Sequence, residues 1–209
     1  MSAAEIAPGL LRWTAPHPDW NPDAEPGSAQ DWGQQVGSVL YEADVVVLFD
    51  PLLPSEGRDD FLRWLDGRIA GRRVSILTTI RWHRRDREEL AERYRSTRGG
   101  RAWNAIPGGV SPRPLRGAGE TMFWLPGAAA LIAGDRLLGG GEGVPLGRLR
   151  LCPESWLEGT QVDRAGLALL LRPLLELQIE RVLVSHGEPV LHDGRAELAR
   201  AIAQAAPTA

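Results

Sequence analysis

Short apolar runs, each stopped by a polar or turn-forming residue, most constrain what this chain can fold into. Val45–Phe49 opens with the β-branched cluster Val45-Val46-Val47 and ends at Asp50-Pro51, and Val74–Thr79 is a continuous apolar strand of the kind buried between layers. Thr121–Leu125 and Ala129–Ala133 flank Pro126-Gly127, a hairpin signal. Arg181–Ser185 is a further strand, with His186-Gly187 directly after it. Two more strands are expected at Gly9–Trp13 and at Val36–Tyr41, the latter pairing with Val45–Phe49 as a hairpin. Between these lie helical patterns. Arg58–Ala70 places Phe61, Leu62, Leu65 and Ile69 on one face, with Gly71 as a stop. Asp86–Arg95 turns Leu90, Ala91 and Tyr94 inward. Asp163 is a good N-cap for a helix to about Ile179 that Pro173 should bend or split, and Asp193 caps a last helix over Gly194–Ala205. Strands come first in pairs and then alternate with helices, which points to sheets covered by helices in an α/β layered domain.

Length and composition narrow the function classes. A chain of 209 residues fits a single domain spanning 1–209. The 43% hydrophobic content can fill a core. A net charge of −3 argues against a nucleic-acid binder. All 24 basic residues are Arg, which removes a lysine nucleophile, a Schiff base and a P-loop lysine. Cys152 is the single cysteine, so an intrachain disulfide is excluded. No apolar window of membrane-spanning length and no targeting signal is present, and the default expectation is a cytoplasmic protein with no membrane partner. Gly139-Gly140-Gly141 reads as a loop, because it lacks the Lys-Ser/Thr of a phosphate cradle. A serine nucleophile is rejected: Ser185 adjoins His186, and strand neighbours point to opposite faces.

Three strand ends carry the polar, ligand-capable residues: Thr79–Asp86, Gly134-Asp135 and Ser185–Pro189. With Pro8-Gly9-Leu10, Val47–Asp50, Val74–Thr79, Phe123–Pro126, Ala130–Asp135 and Val182–Pro189 in this order, the chain resembles the metallo-β-lactamase superfamily of hydrolases over nearly its whole length. The resemblance implies an αββα four-layer sandwich with a metal cleft at one edge. It also implies a Thr-His-x-His-x-Asp-His motif after the second of the buried strands, and there this chain departs from the pattern. With the threonine at Thr79, Ile80, Trp82, Arg84 and Arg85 stand at the ligand positions, and none of them binds a divalent ion. Arg116 or its neighbours stand where the third histidine belongs, while Asp135 and His186 match the family aspartate and last histidine.

A register slip of one residue brings His83 and Asp86 to ligand positions, and with Asp135 and His186 they would offer two nitrogens and two carboxylates to a single zinc. Two readings therefore stand open. One is a hydrolase-like protein with a degenerate metal site, acting on an ester or thioester if metal is bound. The other is a non-catalytic protein with no cofactor, whose cleft takes a small anion or a protein partner, a homodimer included. In the second reading Arg81, Trp82, Arg84 and Arg85 line the cleft, since guanidinium forks suit carboxylates and phosphates. The competing expectation, preferred on spacing, pairs Arg81, Arg84, Arg85 and Arg87 with Glu88, Glu89 and Glu92 on a solvated helix face. Of the eight Trp, most are expected to cover sheet edges, with Trp82 filling the space of a missing imidazole.

Overall fold

The structure is a computed structural model that describes residues 3–98, 106–141 and 144–205. The first sheet takes its strands in chain order: β1 (Ala4–Ala7), β2 (Leu10–Pro16), β3 (Gln35–Glu42), β4 (Val46–Phe49), β5 (Val74–Leu77) and β6 (Thr97–Arg98). Pairing is antiparallel from β1 to β4 and parallel from β4 to β6. The second sheet contains β7 (Ser111–Leu115), β8 (Glu120–Leu125), β9 (Ala130–Ala133) and β12 (Arg181–Val184), in the order β12-β9-β8-β7. β7 carries Pro112 and Pro114 and lies at the sheet edge, where a missing N–H leaves no ladder bond broken. A two-stranded ribbon, β10 (Leu137–Leu138) with β11 (Arg150–Leu151), lies between β9 and β12 in sequence.

Alternation along the strands builds the layers. In β4, Val46 and Leu48 face a core shared with α1 (Arg58–Ile69) and α2 (Arg87–Arg93), through Phe61, Leu65, Ile69 and Leu90. Val47 and Phe49 face the other way and meet Phe123, Leu125, Ile132 and Leu183 between the sheets. In β9 and β12, Leu131, Ala133, Val182 and Val184 pack on α3 (Arg164–Leu171) and α4 (Gly194–Ala205), through Leu167, Leu171, Leu198 and Ile202. Period-two patterning thus produces helix, sheet, sheet, helix. This is the expected four-layer sandwich.

Local details follow sequence chemistry. The Asp163 side chain accepts from the Gly166 N–H at 2.7 Å and caps α3. Pro173 ends that α-helix at Leu171, and the chain continues as a 3-10 turn to Glu176. Asp193 does not cap α4 through its side chain as expected. It takes a left-handed φ of 56° and offers its carbonyl to the Glu197 N–H instead. β1 has no counterpart among the expected strands, because Ala4–Ala7 is short and carries little apolar alternation. The Gly- and Pro-rich stretch 98–119, expected as loop with room for one short strand, holds β7, and part of it, with Trp103, lies outside the described residues. No helix among the described residues is long and apolar enough to cross a membrane.

Candidate metal centre

The carboxyl ends of β4, β5, β9 and β12 point to one edge of the sandwich, and each delivers a polar residue there. Asp50 follows β4, Thr79 and His83 follow β5, Asp135 follows β9, and His186 follows β12. His83, Asp135 and His186 each offer one ligand atom, and these atoms lie within 4.8 Å of one another. The Asp135 Oδ1 is 2.9 Å from His83 Nε2 and 3.3 Å from His186 Nε2. Neither approach is aligned as a hydrogen bond, so Oδ1 is a buried acceptor with no hydrogen-bond partner among the described residues.

A second set of contacts fixes the first. The His83 Nδ1 is 3.0 Å from Asp50 Oδ2, which aims Nε2 into the cluster. Asp50 is itself held by the Thr79 N–H at 2.8 Å and by the Thr79 hydroxyl. The Trp82 indole N–H donates to Asp135 Oδ2 at 2.7 Å and so turns Oδ1 toward the two imidazoles. Beneath Asp135, the buried Glu120 carboxylate accepts from the backbone N–H groups of Gly134, Asp135 and Arg136 at 2.8–2.9 Å. Gly134 is required at this turn: a Cβ there would lie 2.5 Å from Thr79 Oγ1.

Charge in this low-dielectric pocket moves several titrations. Burial lowers the affinity of His83 for a proton, but Asp135 and Asp50 on its two sides outweigh burial and raise its pKa to about 9. Burial acts on Asp135 in the opposite sense, and His83 and His186 overcome it, holding the carboxyl well below its ordinary range. Glu120 is pushed up to about 7, first by burial and then by Asp135, against the pull of its backbone donors.

The donor set fits a divalent ion. Two imidazole nitrogens and one carboxylate oxygen are a known catalytic zinc complement, with a fourth position open. An Asp50–His83 contact behind a ligating nitrogen is the usual orienting arrangement. Metal bonds of ~2.0–2.2 Å need ligand atoms somewhat farther apart than the 2.9 Å between His83 and Asp135, an adjustment available to side chains at strand ends.

The other sequence candidates divide: Trp82 and Arg85 line the cavity over the cluster, and Asp86, Arg81 and Arg84 do not. Asp86 does not join the cluster, because its Oδ2 accepts from the Leu53 N–H at 2.6 Å and its Oδ1 from Arg58 at 3.0 Å. Arg81 is exposed and stacks over the Trp82 ring at 5.7 Å, and Arg84 is exposed and lines no part of the cleft. Arg85 departs from the expected helix-face pairing. It precedes α2, takes a φ of 43°, and donates inward to the Gly37 and Asp50 carbonyls at 2.8 and 2.7 Å. Glu89 pairs with Arg58 rather than with this arginine group, and Arg87 approaches its neighbour Glu88 at 3.7 Å. Trp82 does occupy the cleft, half exposed and bonded to Asp135.

The residues missed in the sequence are Asp50, Glu120, His17 and the pair Trp32 and Trp156. Asp50 had a signal, since it ends the first buried strand of the resemblance. His17 reads locally as a loop residue between prolines, yet with Trp32, Trp82 and Trp156 it lines a cavity of about 540 Å³ over the cluster. Trp32 and Trp156 bracket the His186 ring at 5.6 and 5.2 Å, both edge-on.

No protein-family profile matches the chain. No curated protein sequence matches it either. Solved structures do. A metallo-β-lactamase from Erythrobacter litoralis is similar at 14% identity and TM-score 0.61, covering 97% of this chain and 91% of that one. The DIM-1 metallo-β-lactamase is similar at 12% identity and TM-score 0.62, over 98% and 96%. A metallo-β-lactamase family protein from Thermus thermophilus reaches 18% identity and TM-score 0.52, over 96% and 80%. The chain has the metallo-β-lactamase fold, with a cluster of His83, Asp135 and His186 at its cleft.

Proposed function

We propose that this chain is a metal-dependent hydrolase that holds one divalent ion, zinc first among them, on His83, Asp135 and His186, and acts on an ester or thioester. The observation that carries the reading is the convergence of three ligand atoms from three separate strand ends within 4.8 Å. A divalent ion bound there would supply Lewis acidity and a lowered pKa for water. The chain's residues do the rest. Asp50 keeps the His83 Nδ1 proton so that Nε2 is free to ligate. Trp82 restrains Asp135. Trp32 and Trp156 shield His186 from bulk water, and Arg85 and Arg136 line the same cavity with fixed positive charge, which favours the anion that develops in acyl transfer. The likeness to solved metallo-β-lactamase structures supports the same reading.

One observation favours the second reading, a non-catalytic cleft for a small anion. His83 sits between Asp50 and Asp135 at 3.0 and 2.9 Å, and as an imidazolium it balances one of these carboxylates without metal. Calorimetric titration of chelator-treated protein with zinc separates the two. The hydrolase reading expects one equivalent bound at micromolar affinity or better, lost in Asp135→Ala and His186→Ala, with p-nitrophenyl acetate hydrolysed only by the loaded protein. No zinc binding, and no thermal shift with Zn or Mn, would leave the anion-binding cleft as the function.

A further inference from the structure

A second cavity, of about 360 Å³, lies on the far side of the Trp32, Trp156 and His186 wall. It shares those three residues with the cavity over the cluster, so the imidazole of His186 borders both. Arg12, on β2, reaches its floor. The residue is only 8% exposed, on the strand face that also places Leu10 in the core between the sheets. It fits because Gly37 lies opposite: a Cβ there would stand 3.0 Å from Arg12 Nη2 and 2.6 Å from the Val184 carbonyl. The Nη2 donates to the Gly187 carbonyl at 2.9 Å, next to His186. Its Nε has no hydrogen-bond partner among the described residues. The nearest carboxylate, Glu188, is 3.9 Å from Nη1, and its side chain is 60% exposed. A buried guanidinium with one carbonyl and one distant, solvated counter-ion is under-neutralised.

The glycine run 139–141 forms one wall of this chamber. Gly139 and Gly140 pair through backbone hydrogen bonds with His186 and Glu188, and a Cβ on Gly139 would lie 1.9 Å from the Glu188 carbonyl. On this side the chamber is bounded by backbone. Arg150 stands exposed at the rim, and Asp31 is engaged by the Gly27 N–H.

We infer that this chamber binds the carboxylate of a small organic acid, with Arg12 as its anchor, Arg150 at its mouth and the Trp32 and Trp156 rings against its apolar body. The inference deepens the hydrolase reading by naming the substrate class: an ester or thioester whose acyl or leaving portion carries a free carboxylate. It rests on that reading for the site of bond cleavage only.

Binding of benzoate and of neutral benzamide to zinc-free protein, followed by calorimetry, tests it apart from activity. Benzoate is expected to bind at least tenfold tighter than benzamide. Arg12→Gln should remove that preference, while Arg150→Glu, an exposed substitution that leaves the core untouched, should weaken benzoate several-fold and benzamide not at all. Equal binding of the two probes, binding of neither, or a preference unchanged by both variants would overturn the inference. Zinc titration of Arg12→Gln keeps the two readings apart. Stoichiometric zinc with no benzoate preference in the parent protein sinks the carboxylate chamber alone. Benzoate selectivity without zinc binding sinks the hydrolase alone.

Discussion

Raising the pH of the zinc-free protein from 6 to 9.5 should weaken it steeply, and the reason is the position of His83. Its imidazole stands 3.0 Å from Asp50 and 2.9 Å from Asp135, and its pKa rises from an unfolded value of 6.5 to about 9. The folded state then holds a proton that the unfolded chain releases between those two values. Stability rises with pH only where the unfolded state binds more protons, and here the folded state binds more, so stability must fall. The contribution is fully present below pH 6.5 and gone above about 9. At 1.36 kcal/mol per unit the whole effect is about 3 kcal/mol, with no discount for solvent because the ring is 5% exposed. With a urea slope of roughly 2 kcal/mol/M for a chain of this size, the midpoint should move down by about 1.5 M. Urea melts at half-unit pH steps in chelator would measure it. His17, lowered chiefly by burial, acts below this window, and Cys152, raised to about 11 by burial, acts above it. Glu120 adds a fall of the same sign between pH 4.5 and about 7. A midpoint that stays level from pH 6.5 to 9, or that falls equally in His83→Gln, would refute the ion-paired imidazolium. Adding zinc should reverse the slope, because the metal takes Nε2 as the proton leaves and its affinity rises with pH.

Two further outcomes follow from the contacts around Asp135. Glu120→Gln leaves an amide against one of three buried backbone donors and should cost about 1–3 kcal/mol in urea melts, with weaker zinc binding as the Gly134–Arg136 turn loosens. Trp82→Phe removes only the indole bond to Asp135 from a half-exposed ring, so stability should change by less than about 1 kcal/mol. Zinc affinity, read by competition with a chromophoric chelator, should nonetheless drop roughly 10- to 100-fold.

The layers were legible in the sequence because burial on two faces leaves a local imprint. Val46 and Leu48 alternate with Val47 and Phe49, and the face that meets α1 or the second sheet follows from that alternation alone. Helix limits were legible where chemistry stops the helix, at Gly71 and at Pro173. Asp135 and His186 were legible as polar residues directly after buried strands. What sequence spacing could not supply was direction after a strand ends. His83 and Asp86 are three residues apart, and a ligand motif treats them alike. The chain between them turns through Arg85 at φ 43°, so His83 points into the cleft while Asp86 is drawn to Leu53 and Arg58. The same turn explains why Arg85 left the helix face expected of it: at that φ its guanidinium reaches the Gly37 and Asp50 carbonyls, which lie under the cleft rather than in solvent. Asp50 and Glu120 were overlooked for a related reason. Each acts on a residue remote in sequence, Asp50 on His83 and Glu120 on the 134–136 turn, so neither leaves a periodic signal. Arg12 is the extreme case, an arginine within an apolar strand whose tolerance depends on the missing side chain of Gly37, on the adjacent strand and on the same face as Val39, the residue that Arg12 pairs with. Layer patterning is read from the residues that face a core. The chemistry of this cleft depends on residues that face one another across strand ends, and that information exists only once the sheets are assembled.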